Sequence, residues 1–349
     1  MSDADVVIVG AGPIGLELAV CLKLMQVDYV HLEAGQIGQT ITWFPKQVRF
    51  FSSPERIAIA GVPLHTPDQS KATREEYLAY LRGIVDQFDL PIHTYERVVD
   101  IKRNTSANDG LVLTTQHRDE HCTYHAKRVV LAIGDLHRPR KLNIPGEDLE
   151  HVSHYFDEPH KYFRQKLLIV GGRNSAVEAA IRCHRAGAQV TMSYRDNEFP
   201  ESVKYWLRPE IEVLIKRNLI TFHPHTRPTG ITPTHVTLAS NHDGKTIDAP
   251  ADFVLLMTGY EMDPTLFNQV GVTLGGENDA PMFNPDTMET NVPGLYVAGT
   301  ASAGTQKHFK LFIENCHPHV TRLVRAITGK PPPTGRVNPA ADRFALPES

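Results

Sequence analysis

A short, wholly apolar run, Val6-Val7-Ile8-Val9, leads without a break into Gly10-Ala11-Gly12-Pro13-Ile14-Gly15 and then into a helix-like stretch over residues 16–23. A buried strand, a tight glycine turn and a helix in that order leave few folds open. The glycines let the turn close and let its backbone approach a pyrophosphate, whose charge then lies at the positive end of the helix. A second apolar strand over 29–32 ends at Glu33, 23 residues after Gly10. An acid there is placed to accept hydrogen bonds from a ribose 2′-OH. Together these features predict a dinucleotide site containing Gly10, Gly12, Pro13, Ile14, Gly15, Glu33 and its neighbour Ala34.

The pattern recurs. An apolar strand over 167–170 meets Gly171-Gly172-Arg173-Asn174-Ser175-Ala176, a helix through Arg185 follows, and a strand over 189–194 ends at Arg195. An acid at that point would repel a 2′-phosphate, whereas arginine pairs with it, so the second unit is expected to prefer NADPH to NADH. Lys204 is a second candidate cation. Arg173 departs from the fingerprint, standing where its second glycine belongs, so its side chain must swing outward.

Two further apolar strands end in glycine, over 128–134 and 253–259, and each is followed by proline-containing connections. They bracket the second unit, as the two crossings of an inserted domain would, and Gly134 and Gly259 are natural hinge positions between domains. Residues 290–300 form one more strand ending at Gly299-Thr300, and a helix-like stretch after it is closed by Gly329. The expected fold class is α/β, with two Rossmann-like dinucleotide-binding domains, the second inserted into the first. The divisions are 1–140 and 261–330 for the host, 141–260 for the insert, and 331–349 for an irregular proline-rich tail. The length of 349 residues fits two domains at roughly 100–200 residues each. A hydrophobic fraction of 41% is enough for a sizeable core, which excludes global disorder. A net charge of -4 argues against a nucleic-acid partner. No apolar run is long enough for a membrane span, and the acidic start has no secretory leader, so a cytoplasmic location is expected.

The order GAGPIG, Glu33, VVLAIG, VGGRNSAVE, LLMTG and TNVPGLYVAG resembles the two-domain flavoprotein reductases of the thioredoxin-reductase type, over nearly the whole chain. Finer segments are similar to the bacillithiol-disulfide reductase family: residues 50–53, 145–148 with 152–155, 202–206 and 312–315. That resemblance implies FAD in the first site, NADPH in the second, a homodimer, and electron delivery to a low-molecular-weight disulfide. It implies further that Ala132, Ile133 and Gly134 flank the FAD, that Gly299 and Thr300 meet its flavin side, and that Gly171, Gly172, Asn174, Ser175, Ala176 and Arg195 hold NADPH. Two positions depart from the pattern. Many relatives have an aspartate where this chain has Thr300, and the bacillithiol enzymes have a cysteine where it has Ile14, which cannot form a mixed disulfide.

The four cysteines, Cys21, Cys122, Cys183 and Cys316, are scattered, and no Cys-x-x-Cys is present. Cys316 follows the late strand and is the best candidate to replace the missing thiol. His308, after a glycine-containing stretch, is the candidate proton donor. The histidine groups at 117–125, 223–225 and 317–319 lack a converging metal-ligand pattern, so no metal is expected. Thr73 with Glu76 reads as the capping box of a structural helix. The acceptor stays open between a disulfide and oxygen, a quinone or another electron carrier, the oxygen option resting on a stretch at 156–163 with some likeness to flavin monooxygenases. A non-enzymatic NADPH-responsive sensor is the third alternative.

Overall fold

The computed structural model describes residues 2–104, 110–307 and 310–339. The chain divides into two units: Met1–Thr42, Gln47–Arg138 and Tyr260–Ser349 form the first, and Trp43–Lys46 with Pro139–Gly259 the second.

The first unit is organised by strands β1 (Ser2–Val9), β2 (Tyr29–Leu32), β3 (Ile92–His93), β4 (Arg97–Arg103), β5 (Leu111–His117) and β6 (Glu120–Leu131). Their order in the sheet is β3-β2-β1-β6-β5-β4. β6 is long enough to serve two neighbours along one edge. Its first half pairs antiparallel with β5, and residues 129–131 pair parallel with the late strand at Leu295–Val297. The parallel strands are continuous apolar runs because both of their faces are covered. Val6, Val7, Ile8, Val129, Val130 and Leu131 are wholly buried or nearly so.

Helix α1 (Pro13–Leu24) buries every residue from Ile14 to Leu22, which explains its almost uninterrupted apolar sequence. Helix α2 (Arg74–Phe88) starts on the capping box expected from sequence. Thr73 Oγ1 accepts from the Glu76 amide at 3.2 Å, and Glu76 accepts from the Thr73 amide at 2.8 Å. Two unpaired helix amides are satisfied in this way.

The second unit repeats the plan with β7 (Val152–Ser153), β8 (Lys166–Val170), α3 (Asn174–Arg185), β9 (Gln189–Ser193) and β10 (Thr221–His223). An antiparallel meander of β11 (Thr226–Ile231), β12 (His235–Ser240) and β13 (Thr246–Pro250) follows, then β14 (Phe253–Leu256). The five-stranded sheet runs β10-β9-β8-β14-β7. The short segment Trp43–Lys46 belongs here because Lys46 pairs with Asp157 and Glu158, and the Trp43 ring meets Tyr155 edge-on.

The chain completes the first unit with β15 (Leu295–Val297) and helix α4 (Ile313–Thr328), which ends at Gly329 in the left-handed region. The described part of the tail expected to be irregular has neither helix nor strand, and it is tied down. Asn338 donates to Glu17 Oε1 at 2.9 Å, and the Arg336 guanidinium donates to Ala60 O at 3.3 Å and lies over the Phe88 ring. Proline rules out helix and sheet in this stretch but not side-chain and backbone anchoring.

Candidate functional site

In the first unit the register places Val9, Leu32, Leu131 and Val297 in one row, at the carboxyl ends of β1, β2, β6 and β15. Gly10, Glu33, residues 132–135 and residues 298–300 therefore leave the sheet at the same edge, where open α/β sheets bind their ligands. The turn is closed on its inner side. A Cβ on Gly10 would stand 2.5 Å from Ala132 O, and one on Gly15 would stand 2.1 Å from Gly10 O. At Gly12, the N-cap of α1, a Cβ would meet nothing within 4 Å. The open side of the turn is thus a bare backbone at a helix N-terminus, the arrangement that accepts a pyrophosphate.

Glu33 is buried, with Oε2 accepting from the Ala11 amide at 2.7 Å and Oε1 from the Gly35 amide at 2.8 Å. Burial pushes its pKa up, and those amides, Ala11 first, pull it back. A carboxylate has about four acceptor positions, so capacity is left for a ribose hydroxyl. Ala34 lies exposed beside it. The turn has a support that the sequence does not announce. His31 is fully buried, its Nε2 lies 3.0 Å from Gly10 O, and burial lowers its pKa to about 4, so the ring is neutral and Nε2–H donates.

On the opposite rim, a Cβ at Gly299 would lie 3.6 Å from Ile14 Cβ, which packs the isoleucine against the late turn. The Gly299 amide donates to His319 Nδ1 at 3.2 Å. Burial lowers the His319 pKa to about 4, leaving the neutral ring as the acceptor. Beside Gly134, the buried Asp135 accepts from Gln306 Nε2 at 3.0 Å. Burial pushes its pKa up, and the neighbouring Thr300 hydroxyl and Gln306 amide pull it back. In the sequence His319 stands out only as half of a histidine pair, and Asp135 and Gln306 carry no local pattern. Their roles depend on two strand ends meeting across the sheet.

The candidate catalytic residues fare differently. Cys316 is wholly buried on the packed face of α4. Burial pushes its thiol well up, and Asp135 and Glu17 push it the same way, so it is neither a thiolate nor open to an external disulfide. Cys21 and Cys183 are buried and pushed up to about 12. Cys122 is exposed in the β5–β6 hairpin, nine residues before Leu131 and about 30 Å along the strand from the site. His308 lies outside the described residues.

The second site is built alike. Val170 is in register with Ser193 and Leu256, so residues 171–176, 194–195 and 257–259 leave one sheet edge. A Cβ on Gly171 would stand 2.7 Å from Met257 O, and one on Gly172 would stand 2.6 Å from the Tyr194 ring. Arg173 is the N-cap of α3 and is half-buried, Ser175 is exposed, and Ala176 is buried under the helix. Asn174 fastens the 198–206 loop, donating to Ser202 O at 3.1 Å and accepting from the Lys204 amide at 2.9 Å. Arg195 is exposed, with Asp196 3.5 Å from its Nε. Gly259 accepts from the Arg140 amide at 2.9 Å.

Two glycine-turn sites in one chain define an oxidoreductase that handles two nucleotides. The pyridine nucleotide-disulphide oxidoreductase family matches residues 7–299. The chain is 34% identical to bacilliredoxin reductase Bdr of Bacillus subtilis over 91% of this chain and 96% of that one. It is 28% identical to a ferredoxin–NADP reductase of Ignicoccus hospitalis, covering 84% and 89%. The bacillithiol disulfide reductase structure from Bacillus cereus superposes with a TM-score of 0.88 at 33% identity, covering 94% and 99%. The chain belongs to the pyridine nucleotide-disulphide oxidoreductase family. It is a flavin-dependent oxidoreductase whose cofactors are FAD and NAD(P)H. Among the described residues, no helix is long and apolar enough to cross a membrane.

Proposed function

We propose that the protein is an NADPH-dependent FAD reductase whose acceptor is a low-molecular-weight disulfide of the bacillithiol type. FAD, when bound, carries electrons from the nicotinamide nucleotide to the acceptor. Gly10, Gly12, Pro13 and Gly15 hold its pyrophosphate at the α1 N-terminus, and Glu33 takes a ribose hydroxyl. Ile14, Ala132, Ile133, Gly134, Gly299 and Thr300 line the flavin end. Gly171, Gly172, Asn174, Ser175 and Ala176 form the NADPH turn, where Arg195, with Arg173 and Lys204 nearby, meets the 2′-phosphate. The single observation that carries the reading is the exposed Arg195 at the end of β9, where an acid would select NADH. The disulfide acceptor is supported by the likeness to bacilliredoxin reductase over both chains' length.

Ile14 shapes the chemistry. It occupies the turn position next to Gly299, and the described cysteines are buried or remote, so the acceptor takes its electrons without a mixed disulfide to the protein. The same observation keeps a second reading in view, in which oxygen, a quinone or an electron-carrier protein is the acceptor. Anaerobic turnover with NADPH and bacillithiol disulfide tests the choice. Disulfide-dependent reoxidation of the flavin is expected, and it should survive replacement of all four cysteines by serine. Rapid reduction with no response to the disulfide would turn the assignment to the other acceptors.

A further inference from the structure

Asp135 is the residue after Gly134, where β6 leaves the sheet beside β15. It is 6% exposed. Its side-chain hydrogen-bond partner, Gln306 Nε2, is a neutral donor, the Thr300 hydroxyl beside it is neutral too, and among the described residues no lysine, arginine or histidine pairs with it. The Gln306 orientation is fixed from its other end. Oε1 accepts from the Lys310 and Leu311 amides, both at 2.9 Å, so Nε2 must face Asp135. A buried carboxylate without a counter-charge is costly, and dedicated donors do not cancel its charge. The carboxylate also keeps unused acceptor positions. A ligand seated against residues 132–134 and 299–300 and offering hydroxyl or N–H donors would fill them. A flavin offers both in its ribityl chain and its ring imide.

We propose that Asp135 is a flavin-tuning residue: its carboxylate accepts a hydrogen bond from the bound flavin and sets a negative charge beside it, lowering the flavin's midpoint potential. The inference rests on the assignment of FAD to the first site. Reduction adds negative charge to the flavin, and a fixed anion in a water-poor setting opposes that change.

The test is the midpoint potential of the FAD-loaded protein, read anaerobically against a reference dye. Asp135→Asn keeps the shape and removes the charge. It is expected to raise the reduced-to-oxidised ratio at a given potential at least tenfold, about 30 mV for a two-electron couple. Thr300→Val keeps the charge and removes the neighbouring hydroxyl that favours it, so it is expected to move the potential the opposite way. This second variant decides the matter where the first does not fold. Wild-type potentials in FAD-loaded variants would overturn the tuning role while leaving the first-site assignment intact. Failure of the wild-type protein to take up FAD at all would overturn both.

Discussion

The two glycine turns share a backbone plan and differ in what surrounds them. The first is enclosed: Glu33 is buried against the turn's own amides, His31 braces Gly10 from beneath, and the strand row continues into a second rim at 132–135 and 298–300. The second is open: Arg195 and Ser175 are exposed, Arg173 replaces a glycine, and one asparagine holds the flanking loop. An enclosed site suits a cofactor that stays, and an open one suits a nucleotide that must come and go.

The largest expected effect tests the enclosure. Gly15→Val should cost at least about 3 kcal/mol and yield flavin-free protein, because its Cβ would stand 2.1 Å from a carbonyl oxygen. Thermal unfolding and the flavin spectrum read both losses. Gly12→Ala sharpens the contrast, since its Cβ meets no protein atom; stability should hold while FAD affinity falls. Glu33→Gln should cost about 2 kcal/mol through its buried amide contacts and weaken FAD binding as well. In the open site, Arg195→Ala should leave stability within about 0.5 kcal/mol. It should raise the KM for NADPH about tenfold, worth about 1.4 kcal/mol, and leave NADH unaffected. Equal loss with both nucleotides would break the comparison.

A pH dependence separates two histidines on α4. His319 is held near 4, below its ordinary value of 6.5, because burial favours the neutral ring. The unfolded chain therefore binds a proton that the folded one refuses. Stability falls as pH drops from about 6.5 to about 4, by up to about 3 kcal/mol, and His319→Gln should flatten that slope in urea titrations. His317 behaves in the opposite sense. Burial works against its charge, but Glu17, 2.7 Å from Nδ1, wins and raises its pKa. Its stabilising contribution is full below the unfolded value and is lost as pH rises through the folded one.

Local signals make the strand–turn–helix cores readable in sequence. Four buried residues followed by glycines, a helix and a charged strand end are contiguous, and Glu33 and Arg195 stand at the strand ends where the sequence puts them. The supports of the site are not readable in that way. Asp135 meets Gln306 across 171 residues and His319 meets Gly299 across 20, and neither contact has a periodicity. Glu17 carries a signal of its own, because an acid inside the apolar helix run 14–22 needs a buried partner, and His317 supplies it. Cys316 misleads because proximity in the chain to the late strand says nothing about which helix face packs inward.

The most direct test of the two-site account is an anaerobic titration of the purified protein with NADPH and NADH in parallel. The account predicts a protein that is yellow as isolated, with NADPH bleaching the flavin at a concentration at least about tenfold below that needed for NADH. Equal response to the two nucleotides, or a colourless protein that takes up no FAD, would contradict it.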